Sequence, residues 1–155
     1  MDRHPSHDHE TLHHLVTEIA ARATVAVGLA GIALIHLLDS IGKWSETRYL
    51  FWMYVALMVG SLVVAAAILF SRARIVWVGA AALAAGALIG FILSRTTGLP
   101  NATGDVGNWT EPLGLASMFV EGAVVAVSAG ALAHDARRGA VAAPASLRRE
   151  ELRAA

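Results

Sequence analysis

The sequence contains no cysteine and few charged residues. Without cysteine, the chain cannot form disulfides, thiolate metal sites or iron–sulfur clusters, and it has no cysteine nucleophile. Charged residues make up 15 % of the 155 residues, against about 25 % in ordinary soluble domains. Twelve Lys and Arg balance twelve Asp and Glu, so no net positive charge indicates a nucleic-acid partner. Hydrophobic residues reach 56 %, which predicts a small polytopic membrane protein.

Motifs of the common catalytic classes are also missing from the sequence. It contains no G-x-S-x-G, no Walker loop and no H-E-x-x-H. No helix is interrupted midway in both halves of the chain, as happens in transporters built from inverted repeats. The sequence therefore favours a non-enzymatic role without assigning one.

Four apolar segments are long enough to cross a bilayer, which takes about 20 residues of helix. They lie at about residues 20–40, 49–70, 75–94 and 112–133. The first segment is interpreted as a span rather than a cleaved signal peptide, because no small-residue cleavage site follows it. Its flanking Arg22 is expected to extend towards the membrane surface. We predict an all-α, four-transmembrane-helix bundle over residues 19–134, between a polar His-rich tail (1–18) and a basic tail (135–155).

The distribution of basic residues predicts that both termini are cytoplasmic. Cytoplasmic termini would place nine of the twelve Lys and Arg residues inside and only Lys43, Arg48 and Arg95 outside. Five aromatic residues fall near the outer membrane surface, where such rings are enriched: Trp44, Tyr49, Trp52, Tyr54 and Trp109. The Ala-, Val-, Gly- and Arg-rich composition indicates a bacterial gene, and hence the plasma membrane.

Small residues recur at helical spacing on three segments, and are expected to form helix–helix contacts. These residues are Gly28 and Gly31; Gly79, Ala82, Gly86 and Gly90; and Gly122, Ala126 and Gly130.

Glu121 is the most informative residue, because it falls near the middle of the fourth segment. A carboxylate at that depth costs several kcal/mol unless it is paired, protonated or hydrated. Ser117 and Ser128 share its helix face, which predicts that this face turns inward. Glu121 could accept protons, ligate a cation or contact a partner subunit, or it could simply tie two helices together.

Four further polar residues are expected in the same outer half of the bundle: His36, Asp39, Arg95 and Glu111. His36 and Asp39 lie three residues apart on one helix face, and could bind a divalent metal, relay a proton or satisfy each other. A metal site of His36, Asp39 and Glu121 would need further ligands. Arg95 is expected either to extend to the lipid headgroups or to pair with a carboxylate such as Glu111.

The N-terminal tail is a second candidate metal site, because neutral imidazoles in flexible tracts bind metals. Its histidines are His4, His7, His9, His13 and His14. A solvated tail without a metal is the alternative. Haem is not expected, because His36 falls at the outer end of the first helix and His134 at the inner end of the fourth, too far apart to bind one iron.

The pattern resembles uncharacterised small four-helix bacterial integral membrane proteins, which are similar to the DoxX group in architecture. The resemblance covers about residues 20–135. It is carried by His36, by Arg95-Thr96-x-Gly98-x-Pro100, and by Glu111 and Glu121. After His36 this chain reads LLDSIGKW, where such proteins often have a Pro-Glu-His-like turn. The resemblance implies a four-helix bundle and no established activity.

Three functions are compatible with the sequence. The first is a non-enzymatic accessory or assembly protein that docks on a larger membrane complex or forms a homo-oligomer. The second is a metal- or proton-handling membrane protein with an extracytoplasmic-side site. The third is a quinone-linked redox protein, which is suggested only by the aromatic residues near the outer surface.

Overall fold

The computed structural model describes the backbone of residues 5–154 and the side chains of residues 12, 13, 15–138 and 140. Within this range the chain forms four α-helices and no strand: α1 Pro5–Glu46, α2 Arg48–Phe70, α3 Arg74–Thr96 and α4 Pro112–Ala154. Each helix contains a segment long and apolar enough to span a membrane. The predicted all-α bundle of four candidate spans is confirmed.

The helices form a ring in chain order. Helix α1 packs closely against α2 and α4, and α3 packs against α4, whereas α2 and α3 contact each other less and α1 barely meets α3. The apolar core lies in the half of the bundle next to the turn between α2 and α3. We call this the turn end. Leu29, Ile32, Ile68 and Val124 are among its most deeply buried residues.

The opposite half, which carries residues 97–111, is called the loop end. There α1 continues to Glu46, beyond the predicted limit near residue 40, so that only Thr47 separates it from α2. The non-helical backbone of Thr47 (φ −148°, ψ 89°) breaks the helix. Its N–H still donates to the carbonyl of Lys43 at 2.9 Å, so the end of α1 keeps its hydrogen bonds.

Arg22, which was expected to extend towards the membrane surface, binds the end of α2. Its guanidinium donates hydrogen bonds of 2.7 Å to the carbonyls of Ile68 and Ser71, where α2 ends. It also forms an ion pair with Glu18 and lies over the ring of Trp77. The last carbonyls of a helix lack partners within the helix and carry negative partial charge, which explains this binding of a cation.

The loop at residues 97–111 is fixed to the loop end rather than extending away from it. The hydroxyl of Tyr49 donates to the carbonyl of Pro100 at 2.7 Å, and the N–H of Gly107 donates to the carbonyl of Arg95 at 2.9 Å. Gly98 and Gly107 adopt positive φ angles of 76° and 81°. These angles favour glycine, which lacks the Cβ that would clash there.

The helix–helix contacts predicted at small residues are confirmed for Gly28 and Gly79 and are wrong for four other glycines. A Cβ at Gly28 would overlap Val124 of α4, and a Cβ at Gly79 would contact Val64 of α2. By contrast, no described atom lies within 4 Å of a Cβ built at four other glycines: Gly86, Gly90, Gly122 and Gly130. Gly86 and Gly90 line a cavity, and the stripe on α4 is uncovered within the described part of the chain.

Candidate functional site

A cavity of about 730 Å³ occupies the loop end of the bundle, and all four helices and the loop line it. Polar side chains meet there, whereas α2 and α3 supply mainly apolar wall. All five residues that the sequence predicted as a polar site line this cavity: His36, Asp39, Arg95, Glu111 and Glu121. Four separate segments bring them together, because the helices are antiparallel neighbours.

Glu121 lies where the cavity meets the apolar core and is fully buried. Its Oε1 accepts a hydrogen bond of 2.6 Å from the hydroxyl of Ser117, one helical turn earlier. Its Oε2 has no hydrogen-bond partner among the described residues. The prediction that this face of α4 turns inward is confirmed, since Ser117 and Ser128 are also buried. A buried polar atom without a partner costs about 1–3 kcal/mol, so this atom is energetically suited to accept a partner.

His36 faces Glu121 across a gap. Its Nδ1 lies 2.9 Å from the carbonyl oxygen of Ile32 and donates to it, because a carbonyl can only accept. Its Nε2 lies 3.9 Å from Oε1 of Glu121, which is too far for a hydrogen bond. The imidazole also meets the ring of Tyr54 edge-on, with centroids 5.0 Å apart. His36 is thus held in one orientation with Nε2 towards the carboxylate.

Asp39 interacts with the hydroxyl of Tyr54. Among the described residues no three His, Asp or Glu side chains are grouped so that they could hold a metal ion. His36, Asp39 and Glu121 therefore share a cavity without forming the metal cluster considered from the sequence. Of the tail histidines, His4 and the side chains of His7, His9 and His14 lie outside the described residues, and the described side chain of His13 is exposed.

Arg95 joins the loop to the helices where the loop lines the cavity. It is 6 % exposed, and its guanidinium lies 2.7 Å from a carboxylate oxygen of Glu111 and 3.2 Å from one of Asp105. The predicted pairing with Glu111 is confirmed, and the alternative of extension to the headgroups is wrong. The partnership with Asp105 was not predicted, because a residue in an irregular loop has no periodicity that would reveal which way it faces.

The cavity opens sideways between α2 and α3. Near the turn end these helices are in contact, since a Cβ at Gly79 would lie 3.7 Å from Val64. Farther from the turn, the cavity lining includes exposed residues of both helices, namely Met53, Ala56, Ala82 and Gly86. A molecule dissolved in the surrounding apolar phase would reach the cavity through this opening.

The aromatic residues lie at the loop end, as predicted, but most of them face outward. Trp44, Phe51 and Trp52 form a cluster at the corner between α1 and α2, with ring centroids 5.0–6.4 Å apart. Trp44 and Trp52 are about half exposed. Only Tyr54 of the five predicted aromatic residues lines the cavity.

Comparison with known proteins assigns no family to this arrangement. No protein-family model matches the chain, and no match was found among curated proteins or solved structures.

Proposed function

We propose that this protein binds a small amphipathic molecule within the membrane, in the cavity at the loop end. The observation that carries the proposal is a cavity of about 730 Å³ with a fully buried carboxylate, Glu121, at its inner limit. Its volume lies within the range of about 300–1,000 Å³ typical of small-molecule sites. We infer from the distribution of basic residues that the loop end is extracytoplasmic, and from the Ala-, Val-, Gly- and Arg-rich composition that the membrane is a bacterial plasma membrane.

The distribution of polar and apolar groups supports an amphipathic ligand. The apolar wall on α2 and α3 would bury a hydrocarbon body, while His36 and Glu121 would contact a polar group at the inner limit of the cavity. The lateral opening supports entry from the lipid phase. Small-molecule sites are commonly apolar with a few polar groups that fix orientation.

Two other hypotheses from the sequence have less support. A metal-handling role needs at least a third ligand, and none of the described His, Asp or Glu side chains supplies it. A quinone-linked role was based on the outer aromatic residues, which mostly face away from the cavity. Proton handling remains compatible with ligand binding, because His36 and Glu121 are both titratable and face each other.

Photolabelling with adamantane diazirine, a compact neutral lipophile, tests the proposal. The protein in neutral maltoside micelles is irradiated, and the modified residues are mapped by mass spectrometry. We expect saturable labelling of cavity residues such as Ala87 and Leu57. Gly86→Leu should reduce it severalfold, because the new side chain would occupy open space at the cavity lining.

The matched control is Gly130→Leu, which adds the same side chain to an exposed position on α4. It should leave cavity labelling unchanged. Labelling confined to exposed residues such as Phe70 and Phe119, or equal labelling in both variants, would contradict the proposal.

A second candidate function is docking on a larger membrane complex or on a second copy of this chain. It is favoured by the exposed positions Ala126 and Gly130 on α4, above which the described chain leaves open space. Small residues allow close approach of another helix. Native mass spectrometry after mild extraction should then show a fixed partner that Ala126→Leu removes. If the unaltered protein and the Ala126→Leu variant are both recovered as monomers without a partner, docking is contradicted.

A further inference from the structure

The charges around the cavity are not balanced within the described structure. Four carboxylates line it, from Asp39, Asp105, Glu111 and Glu121, against the two permanent cations Lys43 and Arg95. Both cations lie beside carboxylates of the loop end. Arg95 pairs with Asp105 and Glu111, and Lys43 lies 3.4 Å from Glu46 and 4.0 Å from Asp105.

The two deeper carboxylates have mainly neutral partners. Asp39 meets the hydroxyl of Tyr54, and Glu121 accepts from the hydroxyl of Ser117. The one basic group near Glu121 in the described structure is His36, at 3.9 Å. The inner part of the cavity therefore carries uncompensated acceptor groups, which a cation would stabilise most.

The hydrogen-bond pattern specifies the kind of cation. Because Nδ1 of His36 donates to Ile32, the neutral ring presents the lone pair of Nε2 towards Glu121. Oε2 of Glu121 also has no donor in the described residues. Nε2 of His36 and Oε2 of Glu121 are thus two acceptors that receive no N–H or O–H from the described chain. An ammonium group has several N–H donors and could serve both acceptors, whereas the carbonyl oxygens of a quinone are acceptors themselves.

We infer that the ligand of this cavity is a protonated organic amine. Its ammonium group binds between His36 and Glu121, and its apolar body lies against α2 and α3. This inference rests on the proposed function and adds the ligand's chemical class. Asp39 adds a second negative charge on the same side and strengthens the preference for cations.

Competition against the adamantane diazirine label tests whether the cavity prefers a cationic ligand. The three competing probes share the adamantane cage and differ in charge. The probes are 1-aminoadamantane (cationic), 1-adamantanol (neutral) and 1-adamantanecarboxylate (anionic). For the unaltered protein we expect the amine to protect cavity residues at a concentration at least tenfold lower than the carboxylate does. Equal protection by these two probes, with cavity labelling intact, overturns the inference and leaves the proposed function standing.

Glu121→Gln tests the assigned residue. The amine should need at least a tenfold higher concentration to protect the cavity, whereas protection by 1-adamantanol should be unchanged. Glu46→Gln is the matched control: it removes the same charge near the loop end, from a residue outside the cavity. An unchanged amine concentration in Glu121→Gln, or an equal loss in Glu46→Gln, overturns the inference.

Retained labelling by the neutral diazirine shows that a variant keeps its cavity. If Glu121→Gln loses that labelling, Asp39→Asn replaces it, with an expected severalfold loss of amine protection. Amine protection equal to that of the unaltered protein would then overturn the inference. If the unaltered protein shows no cavity labelling at all, the proposed function itself fails, and with it the inference.

Discussion

Gly28 packs against Val124 at the contact between α1 and α4, and its replacement by alanine should destabilise the bundle. A Cβ at this position would overlap Cγ2 of Val124, whereas carbon atoms in contact prefer separations of about 3.5–4.0 Å. Val124 is 1 % exposed and belongs to the core, so it cannot turn away freely. Overpacking of this kind costs about 1–3 kcal/mol.

Gly122→Ala is the matched control. It also introduces alanine in a helix, which by itself stabilises by roughly 0.5–1 kcal/mol, but no described atom lies within 4 Å of its new Cβ. Because both variants share the helical gain, their difference isolates the clash. We expect the free energy of unfolding of Gly28→Ala to be about 1–3 kcal/mol lower than that of Gly122→Ala.

The assay is equilibrium unfolding by dodecyl sulfate in mixed maltoside micelles, followed by circular dichroism. A double-mutant cycle identifies the clashing atom, because Val124→Ala removes Cγ2. Gly28→Ala should cost less in the Val124→Ala background than in the original chain, by about 1 kcal/mol or more. Equal stabilities for Gly28→Ala and Gly122→Ala, or strict additivity in the cycle, would refute this account of the α1–α4 contact.

Three further predictions concern the ends of the bundle. Arg22→Met should lower the free energy of unfolding by about 1.5–3 kcal/mol, because it removes charged donors from the last carbonyls of α2. Arg72→Met, at an exposed position, should lower it little, and equal losses in the two variants would contradict the stabilisation of α2 by Arg22. Arg95→Met should accelerate amide hydrogen exchange in the loop, since two loop carboxylates lose their cation; unchanged exchange would show that other contacts hold the loop. Gly98→Ala should lower the free energy of unfolding by about 1 kcal/mol, because Gly98 has a positive φ angle, whereas Gly104→Ala, in open space, should not. Equal unfolding midpoints for the two variants would contradict this prediction.

Much of the candidate site could be inferred from the sequence because membrane spans restrict where polar residues are tolerated. Glu121 stood out in an apolar segment, and its helical period correctly placed Ser117 and Ser128 on the same inward face. The pairing of Arg95 with Glu111 was one of few options for a cation at a span end. These inferences depend only on local spacing and on the cost of a charge in an apolar phase.

The contacts of several glycines and arginines could not be predicted, because they depend on which helix surfaces meet and local sequence spacing does not specify this. Gly79 and Gly86 belong to the same stripe of α3, yet Gly79 contacts Val64 while Gly86 lines the cavity. Arg22 and Arg95 both flank predicted spans, and the sequence did not reveal all of their partners. Arg22 binds the last carbonyls of α2, and Arg95 binds Asp105 of the loop as well as Glu111.

The sequence by itself determined four apolar helices, because the cost of unpaired backbone polar groups in lipid leaves a long apolar segment no other choice. Only the tertiary structure decided where the bundle is closed and where it is open. Near the turn end α2 and α3 meet at Val64 and Gly79, whereas farther along both helices line the cavity. The packing of α1 against α4 places Nε2 of His36 3.9 Å from Oε1 of Glu121. That geometry depends on the relative placement of several helices, which no single segment specifies.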